Sequence, residues 1–130
     1  MTAYLWVGLG SALGGMGRFW LSGLIAQRFG EAFPSGTLVV NVSGSFLIGL
    51  LAALSDTEGH IFIPASARQF LMIGILGGYT TFSSFSLQTL SLLRDGEWLY
   101  AVANVFLSVV LCLGGVWLGH VLGQLLNSRV

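Results

Sequence analysis

The acidic residues of this chain all stand outside its four long apolar runs. Glu31, Asp56, Glu58, Asp95 and Glu97 fall in three short stretches, FGEAFPSG, DTEGHIFIPAS and RDGE. Between them lie runs of roughly 2–28, 37–55, 67–93 and 98–126. The hydrocarbon core of a bilayer is ~30 Å thick and takes about 20 apolar residues per helix. Each run reaches that length. This spacing predicts an all-α membrane protein with four transmembrane helices in one domain, residues 1–130. Composition agrees: 8% of residues are charged, where a soluble domain carries about 25%.

Other features follow from that setting. Glycine occurs 19 times, and small residues let helices approach closely where lipid removes the hydrophobic drive between them. Tyr4, Trp6, Trp98 and Tyr100 stand near predicted helix ends, where amphipathic rings favour the headgroup region. The N-terminal MTAYLWVGLGSALGG has no basic stretch before its apolar run, so it reads as a first span and not as a cleaved signal. Cys112 is the one cysteine, which leaves no intrachain disulfide and no cysteine metal cluster. Five arginines balance five acids and form no basic run, so no nucleic-acid partner is expected. No nucleophile–base pair or metal constellation points to an enzyme.

With four spans both termini share one side. That side holds Arg129 and Arg68; the other holds Arg28 and Arg94. The positive-inside bias is therefore near zero, and such a chain can insert both ways. The chain has no clear internal repeat. Any inverted symmetry would come from a second copy related by a two-fold axis in the membrane plane.

The third run contains GGYTTFSSFSLQT, residues 77–89. Paired glycines and two β-branched threonines have weak helix propensity. They lie ten to twelve residues into the run, near the bilayer midplane. A break there needs partners for its freed backbone groups, because an unpaired peptide group in hydrocarbon costs several kcal/mol. Discontinuous helices meet that need by aiming carbonyls at a cation and amides at an anion. The competing reading is an unbroken helix whose glycines pack on a neighbour. Phe82 and Phe85 are three apart and share a helical face. They are either packing or two positive ring edges that hold an anion weakly enough to release it.

Polar residues inside the other runs extend the pattern. Asn41 lies within NVSGS and needs an interior partner. Thr81, Phe85 and Gln88 form a stripe, and so do Asn104, Ser108 and Cys112 on the fourth run. Their hydroxyls and amides can donate to an anion, and no carboxylate stands among them, which suits an anion path; the same stripes also serve as helix glue. Arg18 is the charge inside the first run, where it costs ~2.5–3.5 kcal/mol at a helix centre and less if it snorkels. It would concentrate anions in a vestibule. His120 reads as a packed histidine, and His60 as a loop residue.

The segments GGYTTFSSFS at 77–86, GTLVVNVSGSFLIG at 36–49 and GGMGRF at 14–19 together resemble the CrcB/Fluc fluoride channels over the whole chain. The resemblance implies an antiparallel, dual-topology homodimer with the third helix broken at mid-membrane. It implies a multi-pass protein of the bacterial inner membrane that passes fluoride passively and lowers cytoplasmic fluoride. It places the carbonyls of Gly77 and Thr80 on one structural sodium ion that is not transported. Phe82 and Phe85 would contact fluoride, with Asn41 on the pore. Thr81, Ser83, Ser84, Asn104 and Ser108 would continue the polar track, and Arg18 would serve the channel function. Cys112 stands where the track would be expected to carry a hydroxyl.

Two other readings share the size of the chain. A small dual-topology drug exporter should carry a glutamate in its first span, and residues 3–27 contain none. A non-transporting membrane scaffold would explain glycines and polar glue equally well.

Overall fold

The computed structural model describes residues 1–56 and 61–128. Glu58, His60 and Arg129 lie outside the described residues. Among the described residues, every regular element is helical: α1 (Thr2–Phe29), α2 (Ser35–Leu54), α3 (Ala65–Arg68), a π-helix (Gln69–Leu76), α4 (Gly77–Tyr79), α5 (Phe82–Arg94) and α6 (Trp98–Ser128). Glu31, Asp56, Asp95 and Glu97 all lie outside these helices. Two connections need a positive φ, and glycine supplies it: Gly30 after α1 (φ 82°) and Gly96 in the turn before α6 (φ 80°).

Among the described residues, three stretches are long and apolar enough to cross a membrane: Ser35–Leu54, Ala65–Arg94 taken as one run, and Trp98–Ser128. Helix α1 has 28 residues and therefore the length. Its glycines, serines and tryptophans, with Arg18, make it less apolar than those three.

The surface supports a lipid setting. The buried apolar side chains are Val40, Ala53, Leu76 and Ala101, all of small or medium size. Phe19, Trp20, Phe106, Leu113 and Trp117 are all more than half exposed. A water-soluble domain buries such side chains; here they face outward and backbones pack inward.

Glycines make that inversion possible. Helix α2 lies along α6, where a Cβ on Gly119 would overlap the Phe46 carbonyl and one on Gly49 the Val116 carbonyl. Helix α1 lies along the π-helix, with Gly10 against Phe70 and Gly74, and Gly14 against Ile75 and Tyr79. Residues Gln69–Leu76 are wound with i→i+5 bonding. Asn127 closes the other end of the bundle: it donates to the Ala53 carbonyl and accepts from the Ile61 N–H, each at 3.2 Å.

Gly119→Val should therefore destabilise the bundle by about 1–3 kcal/mol or more through overpacking. Gly114→Ala, with nothing within 4 Å of the added methyl, should melt at or above the parent temperature. Thermal melts of both variants in detergent check the contrast; equal melting would show that α2 and α6 are not held by backbone contact.

Candidate functional site

The helix that begins at Ala65 stops at Tyr79. Thr80 (φ −79°, ψ 158°) and Thr81 (φ −152°, ψ 116°) are extended, and helix resumes at Phe82. The last bond of the incoming ladder runs from Thr80 N–H to the Leu76 carbonyl at 3.0 Å. The Thr80 hydroxyl donates to the same carbonyl at 2.9 Å.

Asn41 on α2 holds the two peptides that meet at Thr81. Thr81 N–H donates to Asn41 Oδ1 at 2.8 Å, and Asn41 Nδ2 donates to the Thr81 carbonyl at 2.9 Å. A backbone N–H can only donate and a carbonyl only accept, so these two partners fix the orientation of the amide. One Nδ2–H remains for the cleft that Asn41 lines.

Thr81 also caps the outgoing helix. Its Oγ1 accepts from Ser84 N–H at 3.1 Å and donates to Ser84 Oγ at 3.0 Å. Such a cap is worth about 1 kcal/mol. The proton of Ser84 itself is left available, and Ser83 Oγ stands 3.3 Å from Thr81 Oγ1.

Two carbonyls are released by these substitutions of partner. In a continuous helix the Gly77 carbonyl would accept from Thr81 N–H, and the Thr80 carbonyl from Ser84 N–H. Thr81 N–H goes to Asn41 and Ser84 N–H to a hydroxyl. Gly77 is exposed and Thr80 half-buried. Their oxygens are neutral, hard donors of the kind that suits a small cation. Among the described residues no group of three His, Cys, Asp or Glu side chains could hold a metal, so backbone oxygen is the available chemistry. On the other side of the link, the N-terminal end of α5 carries the positive end of the helix dipole.

Thr81 also divides two open clefts. One, of about 420 Å³, is lined by Asn41, Thr80, Phe82, Ser108 and Cys112 among others. The other, of about 490 Å³, is lined by Arg18, Ser22, Thr37, Ser84 and Gln88 among others. Thr81 lines both and is 8% exposed. No carboxylate lines either cleft. Beyond the second lies a wider mouth of about 670 Å³ that reaches Glu31, Asp95 and Glu97 and shares Thr37 and Gln88 with it.

The remaining candidates take different positions. Phe82 is 78% exposed, and its ring centroid lies 5.3 Å from that of half-buried Phe85 with the planes tilted by 49°. Ser83 is exposed and Ser108 buried. Asn104 is 1% exposed and donates to Thr89 Oγ1 at 2.9 Å, while that hydroxyl donates to the Phe85 carbonyl at 2.8 Å. Asn104 thus ties α6 to α5 and does not line these clefts.

Sequence reasoning did not assign Thr37 or Ser22 to the site, and it placed Gln88 on a stripe with Thr81 and Phe85 without naming it a pore residue. Gln88 is the most informative of them, because its Oε1 is buried without a hydrogen-bond partner among the described residues. Its position three residues after Phe85 was the available signal.

The sequence profile described as CrcB-like protein, Camphor Resistance (CrcB), matches residues 5–120. The chain belongs to the CrcB family. Curated members resemble it along nearly their full length. A protein of Opitutus terrae named fluoride-specific ion channel FluC is 61% identical over 128 residues, 98% of this chain and 97% of the relative. Proteins of the same name from Rhodospirillum rubrum and Methylocella silvestris are 60% and 56% identical, covering 98% and 96% of this chain and 98% and 95% of their own lengths.

Within this CrcB chain, Asn41→Ala should leave both backbone groups of Thr81 without partners, at about 1–3 kcal/mol for each group that stays buried. The expected readout is faster amide exchange at Thr81 and a lower melting temperature. Unchanged protection at Thr81 would show that the amide does not hold the link.

Proposed function

We propose that this protein is a fluoride channel: it passes fluoride passively through the inner membrane of a bacterium and so lowers cytoplasmic fluoride. One observation of the structure carries the conduction reading. Thr81 is the shared wall of two donor-lined clefts that contain no carboxylate. The identity of the ion comes from relatives named for fluoride at 56–61% identity.

The residues support a route. Half-buried Arg18 raises the local anion concentration in its cleft. Ser84 and Thr81 offer hydroxyls at the positive end of α5. The spare Nδ2–H of Asn41 and the hydroxyl of Ser108 line the far cleft. The edges of Phe82 and Phe85 present weak positive potential to the ion. Fluoride is small and a strong acceptor; hydroxyl and amide donors replace part of its water shell, while larger halides fit a narrow path poorly. Binding stays weak enough for release, and no intramembrane acid is present to couple flow to protons.

The working unit is an inverted pair of four-span chains, with α1 as the first span. Support comes from the balanced arginines and from the outward exposure of Gly77 and Phe82, which a second copy would cover. The freed carbonyls of Gly77 and Thr80, contributed by both copies, would hold one structural sodium ion. When bound, sodium would supply a fixed positive charge for the lone pairs of those carbonyls.

Liposomes containing the purified protein should release fluoride down its gradient and retain chloride, measured with ion-selective electrodes; a chloride leak of similar size contradicts the assignment. Phe82→Ile and Phe85→Ile should each slow fluoride release by about tenfold, equivalent to ~1.4 kcal/mol in the barrier, with assembly intact. Parent rates in both variants would return the rings to packing.

A further inference from the structure

Tyr79 is the last helical residue before the extended link. Its hydroxyl lies 2.9 Å from Ser43 Oγ on α2. Ser43 donates its own proton to the Val40 carbonyl at 3.1 Å, and a carbonyl cannot donate. With the Ser43 O–H on the Val40 carbonyl, the contact runs from Tyr79 O–H to Ser43 Oγ.

The ring is confined as well. A Cβ on Gly44 would stand 3.2 Å from Tyr79 Cδ1, and one on Gly17 would stand 3.8 Å from Cδ2. Glycines of α2 and α1 thus leave a slot in which the ring sits flanked from two sides. The Thr80 methyl packs on the bare Cα of Gly44. Two residues after Tyr79, Asn41 grips the Thr81 peptide. Ser43 and Asn41 belong to the same turn of α2. Thr80 is therefore bracketed by two hydrogen-bonded anchors on one rigid element, and the direction of its freed carbonyl depends on both.

We infer that Tyr79 is a positioning residue for the mid-chain cation site: through Ser43 it fixes the upstream side of the Thr80 peptide and so aims the Thr80 carbonyl. The inference rests on the reading above that the Gly77 and Thr80 carbonyls hold sodium. Tyr79 does not touch the ion; it acts through the backbone. A phenylalanine at this position would keep the ring in its slot and lose only the anchor.

The test uses the full-length protein in detergent, with sodium replaced by a bulky organic cation and then restored stepwise. The melting temperature is followed by tryptophan fluorescence. A ligand that binds only the folded state stabilises it by RT ln(1 + [L]/Kd), so that temperature keeps rising with the logarithm of ligand concentration above Kd. The parent should melt higher as sodium rises. Tyr79→Phe should need about tenfold more sodium for the same rise above its own sodium-free melting temperature. Ser43→Ala should displace the curve alike, and the double variant no further than either single one, because all three remove one bond. A Tyr79→Phe curve displaced by less than about twofold in sodium overturns the inference. So does a uniform drop in melting temperature at every sodium concentration, which marks a merely structural role. If Tyr79→Phe fails to fold, Ser43→Ala reads the same bond from the other side. A parent protein that shows no sodium-dependent rise overturns the cation reading itself, and the inference with it, before any substitution is made.

Discussion

A peptide group inside hydrocarbon must find a partner within the protein. The two hydrogen bonds between Asn41 and Thr81 meet that requirement where the run Ala65–Arg94 leaves its helical ladder. An amide side chain is the group that can do this alone, since it offers a donor and an acceptor at the spacing of a backbone. With Thr81 so held, Thr81 Oγ1 is free to cap α5, and the carbonyls of Gly77 and Thr80 are left without helical donors. One side chain on α2 thereby produces acceptors on one side of the link and donors on the other.

The rest of the bundle serves the closeness that this clasp demands. Gly44 admits the Thr80 methyl, Gly14 admits the Tyr79 amide, and Gly49 and Gly119 bring α2 against α6. Large apolar side chains point away from these seams. The arrangement leaves Phe82 and Gly77 exposed on the outside of the chain, the face that the proposed second copy would cover.

Some of this was legible in the sequence. The helical class follows from acids confined to short connections between apolar runs. The weak helix propensity of GGYTT, residues 77–81, marked where the ladder is interrupted. The need of Asn41 for an interior partner could be stated, but the identity of that partner could not. Spacing shows which face a residue occupies and not what stands opposite. For that reason Asn104 read as part of a polar track with Ser108, whereas the structure gives its donor to Thr89. Tyr79 gave no signal, because its partner Ser43 is 36 residues away and the slot for its ring is made of glycines on two other helices. Gln88 was placed on a stripe, yet only the cavities show that it stands between Arg18 and the wider mouth. The first run was counted as a span by length; its glycines and Arg18 leave it less apolar than the other three.

The central claim is a physical one: the chain is extended at Thr80 and Thr81 because Asn41 replaces the helix as partner of the Thr81 peptide. A density map of the protein in a lipid bilayer, at a resolution that shows carbonyl oxygens, tests it most directly. The account predicts the Asn41 amide paired with both backbone groups of Thr81, and a density peak against the Gly77 and Thr80 carbonyls of two oppositely inserted copies. Continuous helical density from Ala65 to Arg94, with Thr81 N–H bonded to Gly77, would contradict it.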